Sequence, residues 1–293
     1  MKKAVALAVA GGDERQVFLA RLLHADGHEV STYALERQAL DTPALHVIHE
    51  PVRELHTMRA IILPVPVVQG EHHLNAPLSN APHRIDDLLD ALPSGMLVLG
   101  GAISPAVRTR AETNGLRMID YLARDELAIR NAVPTAEGAI QIAMEELPIT
   151  LHGARVLVIG NGRIGRALSR RLACLGALVS VSARSNADFA RIESNGLTAL
   201  DTRALAGHLA DFDAIFNTVP VRVIGLAELS ELRADCLIVD LASKPGGVDL
   251  TSAGKLGRKA IWALSLPGKV APLSAAKAIR DTVYNILREE GIL

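Results

Sequence analysis

Aromatic side chains are scarce in this 293-residue chain, where Phe, Trp and Tyr together make up 3%. Proteins that bind single-stranded nucleic acid stack bases on aromatic rings, so this composition argues against that class. Neither sign of charge is in excess, because 31 Lys and Arg stand against 32 Asp and Glu. A strongly basic surface for nucleic acid is therefore not expected either.

Cysteines and long apolar runs are also few. Cys174 and Cys236 are too few for a disulfide framework, and we expect both to be small buried residues of a reduced protein. No apolar run reaches the roughly 20 residues that a membrane span needs. The apolar residues 4–10 follow Lys2 and Lys3 as in a signal peptide, but the run is short and a glycine turn follows at once. These observations predict a cytoplasmic protein that begins with a strand and has no membrane anchor and no metal site.

The most informative motif present is the glycine run at residues 160–165. It follows an apolar strand predicted at Arg155–Ile159 and begins an apolar helical pattern, which is the order that a dinucleotide-binding turn requires. The first glycine allows the tight turn, the second lets the backbone approach a pyrophosphate, and the third lets the helix pack on the sheet. A turn used only for packing is the alternative. The residues predicted to contact the cofactor here are Gly160, Asn161, Gly162, Arg163, Ile164 and Gly165.

The end of the next strand distinguishes NADP from NAD. The sequence there reads Ser182-Ala183-Arg184-Ser185, with no carboxylate until Asp188. An acidic residue at this place binds the ribose 2′-hydroxyl of NAD, whereas an arginine accommodates the 2′-phosphate of NADP. We therefore predict NADP, with NAD as the alternative, bound by Ala183, Arg184 and Ser185. If Arg184 is only a solvated loop residue, this preference is lost.

Three further segments border the same edge of the second predicted sheet. Thr218, Val219 and Pro220 close its fourth strand and are predicted to border the nicotinamide, because ligands bind at the carboxyl ends of parallel strands. Residues 240–247 close the next strand, and residues 266–272 follow the last. We interpret both as rigid loops of the site rather than as simple turns.

Short apolar strands alternate with helical patterns along the whole chain. This pattern predicts an α/β fold with two doubly wound, parallel-sheet (Rossmann-like) domains and a cleft between them. The first domain, residues 1–133, is predicted to bind substrate, and the second, residues 134–273, to bind NADP. A helix predicted at 134–147 would cross between them, with a proline and Glu137 in its first turn. A last helix within residues 274–293 is predicted to pack back on the first domain.

The remaining elements are predicted from the same periodicities. In the first domain, strands are expected at residues 4–10, 29–34, 59–64, 96–100 and 116–120, and helices at residues 14–25, 84–91 and 105–114. In the second, strands are expected at residues 178–183, 197–200, 213–217, 236–241 and 259–263, and helices at residues 187–194, 203–209 and 226–232. The connection at residues 251–257 has a weaker helical pattern.

No histidine follows His208, and this absence bears on the chemistry. Dehydrogenases of 2-hydroxy acids place an arginine after the fifth strand of such a domain and a histidine after the last. This chain has Ser243-Lys244 and Leu266-Pro267-Gly268 there. Oxidising an alcohol needs a base for the hydroxyl proton, so simple alcohol oxidation is disfavoured. Another NADP-dependent oxidoreductase, of the 2-hydroxy acid or amino acid dehydrogenase type, and a non-catalytic NADP-binding scaffold remain as alternatives.

Taken in order, the motifs resemble those of the A subunit of bacterial dipicolinate synthase. The resemblance covers nearly the whole chain and runs through residues 10–16, 124–125, 128–129, 131, 134–138, 160–165, 183–185, 240–247 and 266–272. It implies NAD(P)-dependent oxidation of a dihydrodipicolinate-type precursor to dipicolinate (pyridine-2,6-dicarboxylate) during sporulation. It also implies a partner, the flavoprotein-like B subunit, in the mother-cell cytoplasm. The product of such a reaction is aromatic, which lessens the need for the missing histidine.

A dicarboxylate substrate needs cationic or N–H donors. Within the matching motifs the candidate donors are Arg124, Asn131, Thr135 and Lys244, with Asn75 and Ser104 as weaker candidates after first-domain strands. The residues predicted to take part in catalysis are Lys244, Glu137 and Asp125, the two carboxylates as proton acceptors. The alternatives are a surface ion pair for Arg124 and Asp125, and a role at the start of the helix for Thr135 and Glu137. A homo-oligomer is also expected.

Overall fold

The computed structural model describes residues 4–39, 45–49 and 51–293. The chain forms two compact units: unit 1 comprises the residues up to Arg130 together with Ala271–Leu293, and unit 2 comprises Asn131–Val270. Each unit is built on its own six-stranded sheet. Lys2 and Lys3, which raised the question of a signal peptide, lie outside the described residues.

Unit 1 alternates strands and helices. In chain order its elements up to residue 120 are β1 (Ala6–Ala10), α1 (Glu14–Ala25), β2 (Glu29–Tyr33), α2 (Glu36–Ala39), β3 (His46–Val47), α3 (Pro51–Glu54), β4 (Ala60–Ile62), β5 (Val68–Gln69), β6 (His73–Leu74), α4 (Ile85–Asp90), β7 (Leu97–Gly100), α5 (Pro105–Thr113) and β8 (Arg117–Asp120). The strands of its main sheet are parallel and lie in the order β3-β2-β1-β4-β7-β8, while β5 and β6 form an antiparallel hairpin. This is the doubly wound order that the alternation of strands and helices predicts.

The turn after β1 is closed by the chain itself. Gly12 donates its N–H to the Asn75 carbonyl at 2.7 Å, just beyond the hairpin. A Cβ on Gly11 would stand 2.9 Å from the same carbonyl oxygen. The donor that a nucleotide phosphate would need at this turn is therefore already used.

The long helix α6 (Asp125–Glu146) follows β8 and carries the chain from unit 1 into unit 2. The sequence predicted this helix only from residue 134, and that start is wrong, because Pro134 lies inside the helix. A proline removes one helical hydrogen bond, yet a helix continues through it when its packed face is continuous. Here Ala132, Ala136 and Ala139 are each at most 2% exposed, so the packed face extends to both sides of the proline.

Unit 2 repeats the doubly wound arrangement. After α6 its elements are β9 (Arg155–Ile159), α7 (Arg163–Cys174), β10 (Leu178–Ala183), α8 (Asn186–Ser194), β11 (Thr198–Asp201), β12 (Ala214–Asn217), α9 (Leu226–Glu231), β13 (Leu237–Asp240), α10 (Leu250–Lys255), β14 (Ala260–Trp262) and α11 (Leu266–Val270). The parallel strands lie in the order β11-β10-β9-β12-β13-β14. The glycine run therefore joins a central strand, β9, to α7, with β10 and β12 on either side.

Two predictions for unit 2 are wrong. The helix expected at residues 203–209 is a single 3₁₀ turn, Thr202–Ala204, followed by turns in which Gly207 has a φ of +84°. The loop expected at residues 266–272 contains the short helix α11. The weaker pattern at residues 251–257 does form a helix, α10.

The C-terminal helix α12 (Pro272–Glu289) belongs to unit 1 and packs on α1. Ile279, Val283 and Leu287 are at most 2% exposed, and each buried side chain of this size contributes about 1.5–3 kcal/mol. The Tyr284 hydroxyl donates to Asp26 at 2.8 Å, just after α1. The helix therefore completes the core of the first sheet from the far end of the chain.

The two cysteines differ in environment. Cys236 is fully buried, and burial raises the pKa of its thiol to about 12. Cys174 is exposed at the end of α7, so the prediction that both are buried is wrong for Cys174. Helix periodicity does not say how far the last turn projects beyond the sheet. Among the described helices, none combines the length and the apolar character that crossing a membrane requires.

Candidate functional site

The glycine turn after β9 is shaped by contacts that exclude side chains. Gly160 has a φ of +100°, and its N–H donates to the Ser182 carbonyl at 2.9 Å. A Cβ on Gly160 would stand 2.5 Å from Thr218 Oγ1, and a Cβ on Gly165 would overlap the Gly160 carbonyl oxygen. Both positions therefore require glycine, and the turn packs directly on the end of β12.

Gly162 differs from these two glycines because it faces open space. A Cβ there would meet no atom of the described residues within 4 Å. Gly162 is the N-cap of the 12-residue helix α7 and supplies no side-chain hydrogen bond to its first turn. Unpaired N–H groups and the helix dipole favour an anion at such an end. This turn therefore fits a dinucleotide pyrophosphate, which residues 160–165 would hold.

The end of β10 carries an open arginine and an occupied carboxylate. Arg184 is exposed, and none of the described residues pairs with its guanidinium. Asp188 accepts hydrogen bonds from the Ser185 hydroxyl at 2.7 Å and from Asn161 Nδ2 at 3.1 Å. The bond from Ser185 is the main cause that lowers the pKa of Asp188, against the opposing effect of burial. Sequence analysis missed this role, although Ser185 and Asp188 have the spacing of a helix capping box.

The remaining predicted cofactor residues surround this turn. Thr218 Oγ1 donates to the Ile159 carbonyl at 2.8 Å and so ties the end of β12 to the end of β9. The Val219 N–H donates to Asn217 Oδ1 at 3.1 Å. Of the others, Ala183 is buried, Ile164 and Val219 are half-buried, and Arg163 and Pro220 are exposed.

A buried pair, Asn217 and Asp240, joins the ends of β12 and β13. Asn217 is fully buried and donates from Nδ2 to Asp240 Oδ1 at 2.7 Å. The Asp240 carboxylate also accepts the N–H groups of Ala242 at 3.1 Å, Gly247 at 2.8 Å and Val248 at 3.1 Å. These donors compensate a carboxylate that is only 1% exposed. Sequence analysis placed both residues at this edge of the sheet but did not find that they fix the loop 241–248.

Lys244 lies on the loop that Asp240 fixes. Its side chain is exposed, and none of the described residues pairs with its ammonium group. Trp262 Nε1 donates to the Ala242 carbonyl at 2.9 Å and supports the same loop from β14. A free cation on a loop held by buried hydrogen bonds is a suitable donor for a carboxylate.

The predicted residues of α6 do not open the helix. Thr135 is 8% exposed, and its hydroxyl donates to the Asn131 carbonyl at 2.7 Å. Asn131 Oδ1 is buried and meets no hydrogen-bond donor among the described residues. Glu137 is exposed and lies 3.6 Å from Arg171 Nε on α7, whereas Asp125 lies in the first turn of α6. The proposal that Thr135 and Glu137 start this helix is therefore wrong, because Pro134 is interior.

Arg124 is engaged by carboxylates of its own unit. Its guanidinium donates to the two oxygens of Glu289 at 2.8 and 2.6 Å and to Glu126 at 3.0 Å. The hydrogen bonds to Glu289 are the largest cause that raises the pKa of Arg124 above its ordinary value. A fork of this kind secures α12, and binding a substrate carboxylate would require its release. The role of Arg124 in substrate binding remains a prediction that the structure does not support.

The two weaker candidates make local hydrogen bonds in unit 1. Ser104 is the N-cap of α5, and its hydroxyl oxygen accepts the Val107 N–H at 3.3 Å. Asn75 donates from Nδ2 to the Pro66 carbonyl at 3.0 Å. Both contacts stabilise the chain locally and leave the site roles of these residues as predictions.

Comparison with known proteins places the whole chain in one family. The family model for the N-terminal domain of the dipicolinate synthase A subunit matches residues 6–122. The A subunit of dipicolinate synthase from Bacillus subtilis (strain 168) is 34% identical over 293 residues, which cover 99% of this chain and 98% of that protein. The chain belongs to the family of dipicolinate synthase A subunits. The resemblance stated from the sequence motifs is therefore confirmed.

Solved structures of this family share the fold over the whole chain. The crystal structure of the dipicolinate synthase A subunit from Bacillus halodurans has a TM-score of 0.91 at 31% identity and covers 98% of this chain and 99% of its own. The A chain of dipicolinate synthase from Bacillus subtilis has a TM-score of 0.88 at 33% identity, covering 99% and 97%. These matches confirm the predicted α/β class with two parallel sheets.

More distant structures share the fold alone. The transhydrogenase from Sinorhizobium meliloti has a TM-score of 0.73 at 17% identity and covers 97% of this chain and 94% of its own. An L-alanine dehydrogenase has a TM-score of 0.66 at 15% identity, covering 98% and 91%. The doubly wound units of this chain are thus of the kind found in dehydrogenases.

Proposed function

We propose that this member of the dipicolinate synthase family oxidises a dihydrodipicolinate-type precursor to dipicolinate, with NADP⁺ as the oxidant. The observation that carries the proposal is the glycine turn, where Gly162 faces open space at the uncapped start of α7. Family membership supplies the substrate class, because the relative in Bacillus subtilis bears the name dipicolinate synthase.

The choice of NADP rests on charge at the end of β10. The first carboxylate after this strand, Asp188, is engaged by Ser185 and Asn161, so it is not available to a ribose 2′-hydroxyl. Arg184 is exposed and unpaired among the described residues, as a group awaiting a phosphate would be. An arginine in this place suits the 2′-phosphate through charged hydrogen bonds.

Three groups of unit 2 are proposed to serve a dicarboxylate substrate. Lys244 offers an open ammonium on the loop fixed by Asp240. Asn131 has a buried amide oxygen without a donor among the described residues, and a bound N–H or O–H group would satisfy it. Thr135 is buried one helical turn away, and its hydroxyl oxygen remains able to accept a hydrogen bond.

The chemistry requires two transfers from the dihydropyridine. The nicotinamide ring, when bound, accepts a hydride from a ring carbon. The substrate must also lose one proton, and we propose Glu137, exposed beside Arg171, or Asp125 as the acceptor. Aromaticity of the product favours the reaction, so a carboxylate can replace the histidine that 2-hydroxy acid dehydrogenases use.

We further propose that the chain works with the flavoprotein-like B subunit in the mother cell of a sporulating bacterium. Its relatives are named with the letter A, as one of several subunits of the synthase, and this supports a partner. A homo-oligomer is part of the same proposal.

One assay tests the activity directly. The full chain is mixed with NADP⁺ and freshly prepared dihydrodipicolinate, with and without the B subunit, and both NADPH and dipicolinate are measured. We expect the two products in equal amounts, and Lys244→Met should lower kcat/KM by roughly tenfold to a thousandfold while leaving NADP⁺ affinity unchanged. Lys255→Met, at an exposed lysine on α10, is the matched control and should keep full activity. NADP⁺ binding without hydride transfer, even with the partner present, would indicate a scaffold instead.

A further inference from the structure

Beside the glycine turn, unit 2 carries a small cationic groove between α7 and α8. The groove encloses about 210 Å³, and Arg166, Arg170 and Arg191 line it. Asp188 is the carboxylate that reaches them, at 3.6 Å from Arg166 and 3.3 Å from Arg191. Three positive charges meet one negative charge, so the groove keeps a net charge of about +2.

Arg170 is the most informative of the three arginines. Within the described part of the chain, no hydrogen-bond or ion-pair partner holds its guanidinium. It follows Arg166 by four residues on α7, and like charges at this spacing destabilise a helix. The helix sequence, Arg163–Cys174, contains no acidic residue to offset them. This arrangement weakens the helix but suits a bound anion.

The groove is joined to the glycine turn by hydrogen bonds. Arg166 Nε donates to the Asn161 carbonyl at 2.8 Å, and Asn161 Nδ2 donates to Asp188 at 3.1 Å. Side chains that line the groove or pair with it thus hold the turn from outside. An anion that draws Arg166 and Arg191 toward itself changes the surroundings of Asn161.

We propose that this groove binds a small dianion and that its occupancy weakens NADP⁺ at the glycine turn. Paired oxyanion oxygens suit the planar guanidinium groups, and a phosphate and a short dicarboxylate offer this same chemistry. The volume lies below the roughly 300 Å³ at which pockets for larger ligands begin, so a whole nucleotide is not the expected occupant. The coupling follows because the dianion places negative charge beside the cofactor phosphates. The coupling, but not the binding, rests on the proposed cofactor.

Calorimetric titration of the cofactor-free full chain tests the binding. Inorganic phosphate is used in one arm and malonate in the other, in a phosphate-free buffer of low ionic strength. We expect saturable binding of at least one anion, and the tighter of the two identifies a phosphate or a dicarboxylate as the source. Arg170→Gln should weaken it about tenfold or more, and Arg170→Lys should weaken it less, because the charge is kept. Lys255→Gln, at an exposed lysine of the same unit, should leave the affinity unchanged. Absence of saturation in both arms, or an equal loss in Arg170→Gln and Lys255→Gln, would overturn the groove as a site.

The coupling is tested by titrating NADP⁺ with and without the saturating anion. In the wild-type chain the dissociation constant of NADP⁺ should rise about fivefold or more, and in Arg170→Gln it should change little. If the rise persists in Arg170→Gln, the anion competes at the glycine turn itself, and the coupling is wrong. A chain that binds the dianion but not NADP⁺ would support the groove and contradict the proposed cofactor.

Discussion

Arg184 stands at the end of β10, exposed and without a partner among the described residues. Replacing it with aspartate removes the cation proposed to meet the 2′-phosphate and introduces a carboxylate that a ribose 2′-hydroxyl can use. We expect Arg184→Asp to weaken NADP⁺ binding by about 1–3 kcal/mol and to spare NAD⁺. Fluorescence titration with both cofactors measures the change, and Lys255→Asp controls for net charge. Unchanged curves for both cofactors would remove Arg184 from the site.

At the same scale, sequence reasoning finds residues whose type is dictated by the turn and misses residues whose partners are distant. Gly160 and Gly165 are predictable because any side chain there meets the backbone of the turn or β12. The pairing of Arg124 with Glu289 joins positions 165 residues apart, which no local spacing indicates. Asp240 is similar, because its partners are N–H groups of a loop whose path the sequence does not specify.

Among the elements, the loop after β13 depends most on one buried side chain. Asp240→Asn replaces a carboxylate oxygen with a donor among N–H groups that already donate there, from Ala242, Gly247 and Val248. We expect the free energy of unfolding to fall by about 2–3 kcal/mol, because buried donors are left unsatisfied. Urea unfolding measures this, and Asp211→Asn, at an exposed aspartate of the same unit, is the matched control. Equal midpoints for the two variants would contradict a fixing role for Asp240.

Helix and strand limits show what a periodic pattern can and cannot predict. The strands β9, β10, β12 and β13 are predictable because they are short, apolar and followed by turns or helices. The start of α6 is not, since Pro134 looks like a first-turn proline, and only the packing of Ala132 ahead of it keeps the helix intact. The short helix α11 is missed because five residues are too few to show a period.

For the whole molecule, the sequence predicts two doubly wound sheets, and the structure has them. Alternation of apolar strands with helices carries this information in each half of the chain. What the pattern does not contain is the charge arrangement on the finished surface. The groove between α7 and α8 arises only when Arg170 and Arg191, 21 positions apart, meet across two helices. The cleft predicted between the two domains stays a prediction.

Acid sensitivity is a property of both units together. Carboxylates whose pKa lies below the ordinary value are found in unit 1 and in unit 2, at Glu36, Asp90, Glu126, Asp188, Asp201, Asp235, Asp249 and Glu289. Hydrogen bonds to Arg203, for example, lower the pKa of Asp201 to about 2. Burial alone would raise the pKa of Glu36, but hydrogen bonds from Ser79 and backbone N–H groups outweigh it.

A folded-state pKa below the unfolded value means that the unfolded chain binds more protons at low pH. The stabilisation from these groups is therefore complete above about pH 5 and is lost as the pH falls through about 4 toward 2. We expect the urea midpoint to stay level from neutral pH down to this window and then to fall. Because these pairs are largely exposed, each contributes little, and high salt should reduce the fall that comes from ion pairs such as Asp201–Arg203. The measurement is a series of urea transitions across this pH range at low and high salt. A midpoint that rises on acidification below pH 4 would show that the carboxylates are not stabilised by their partners in the folded chain.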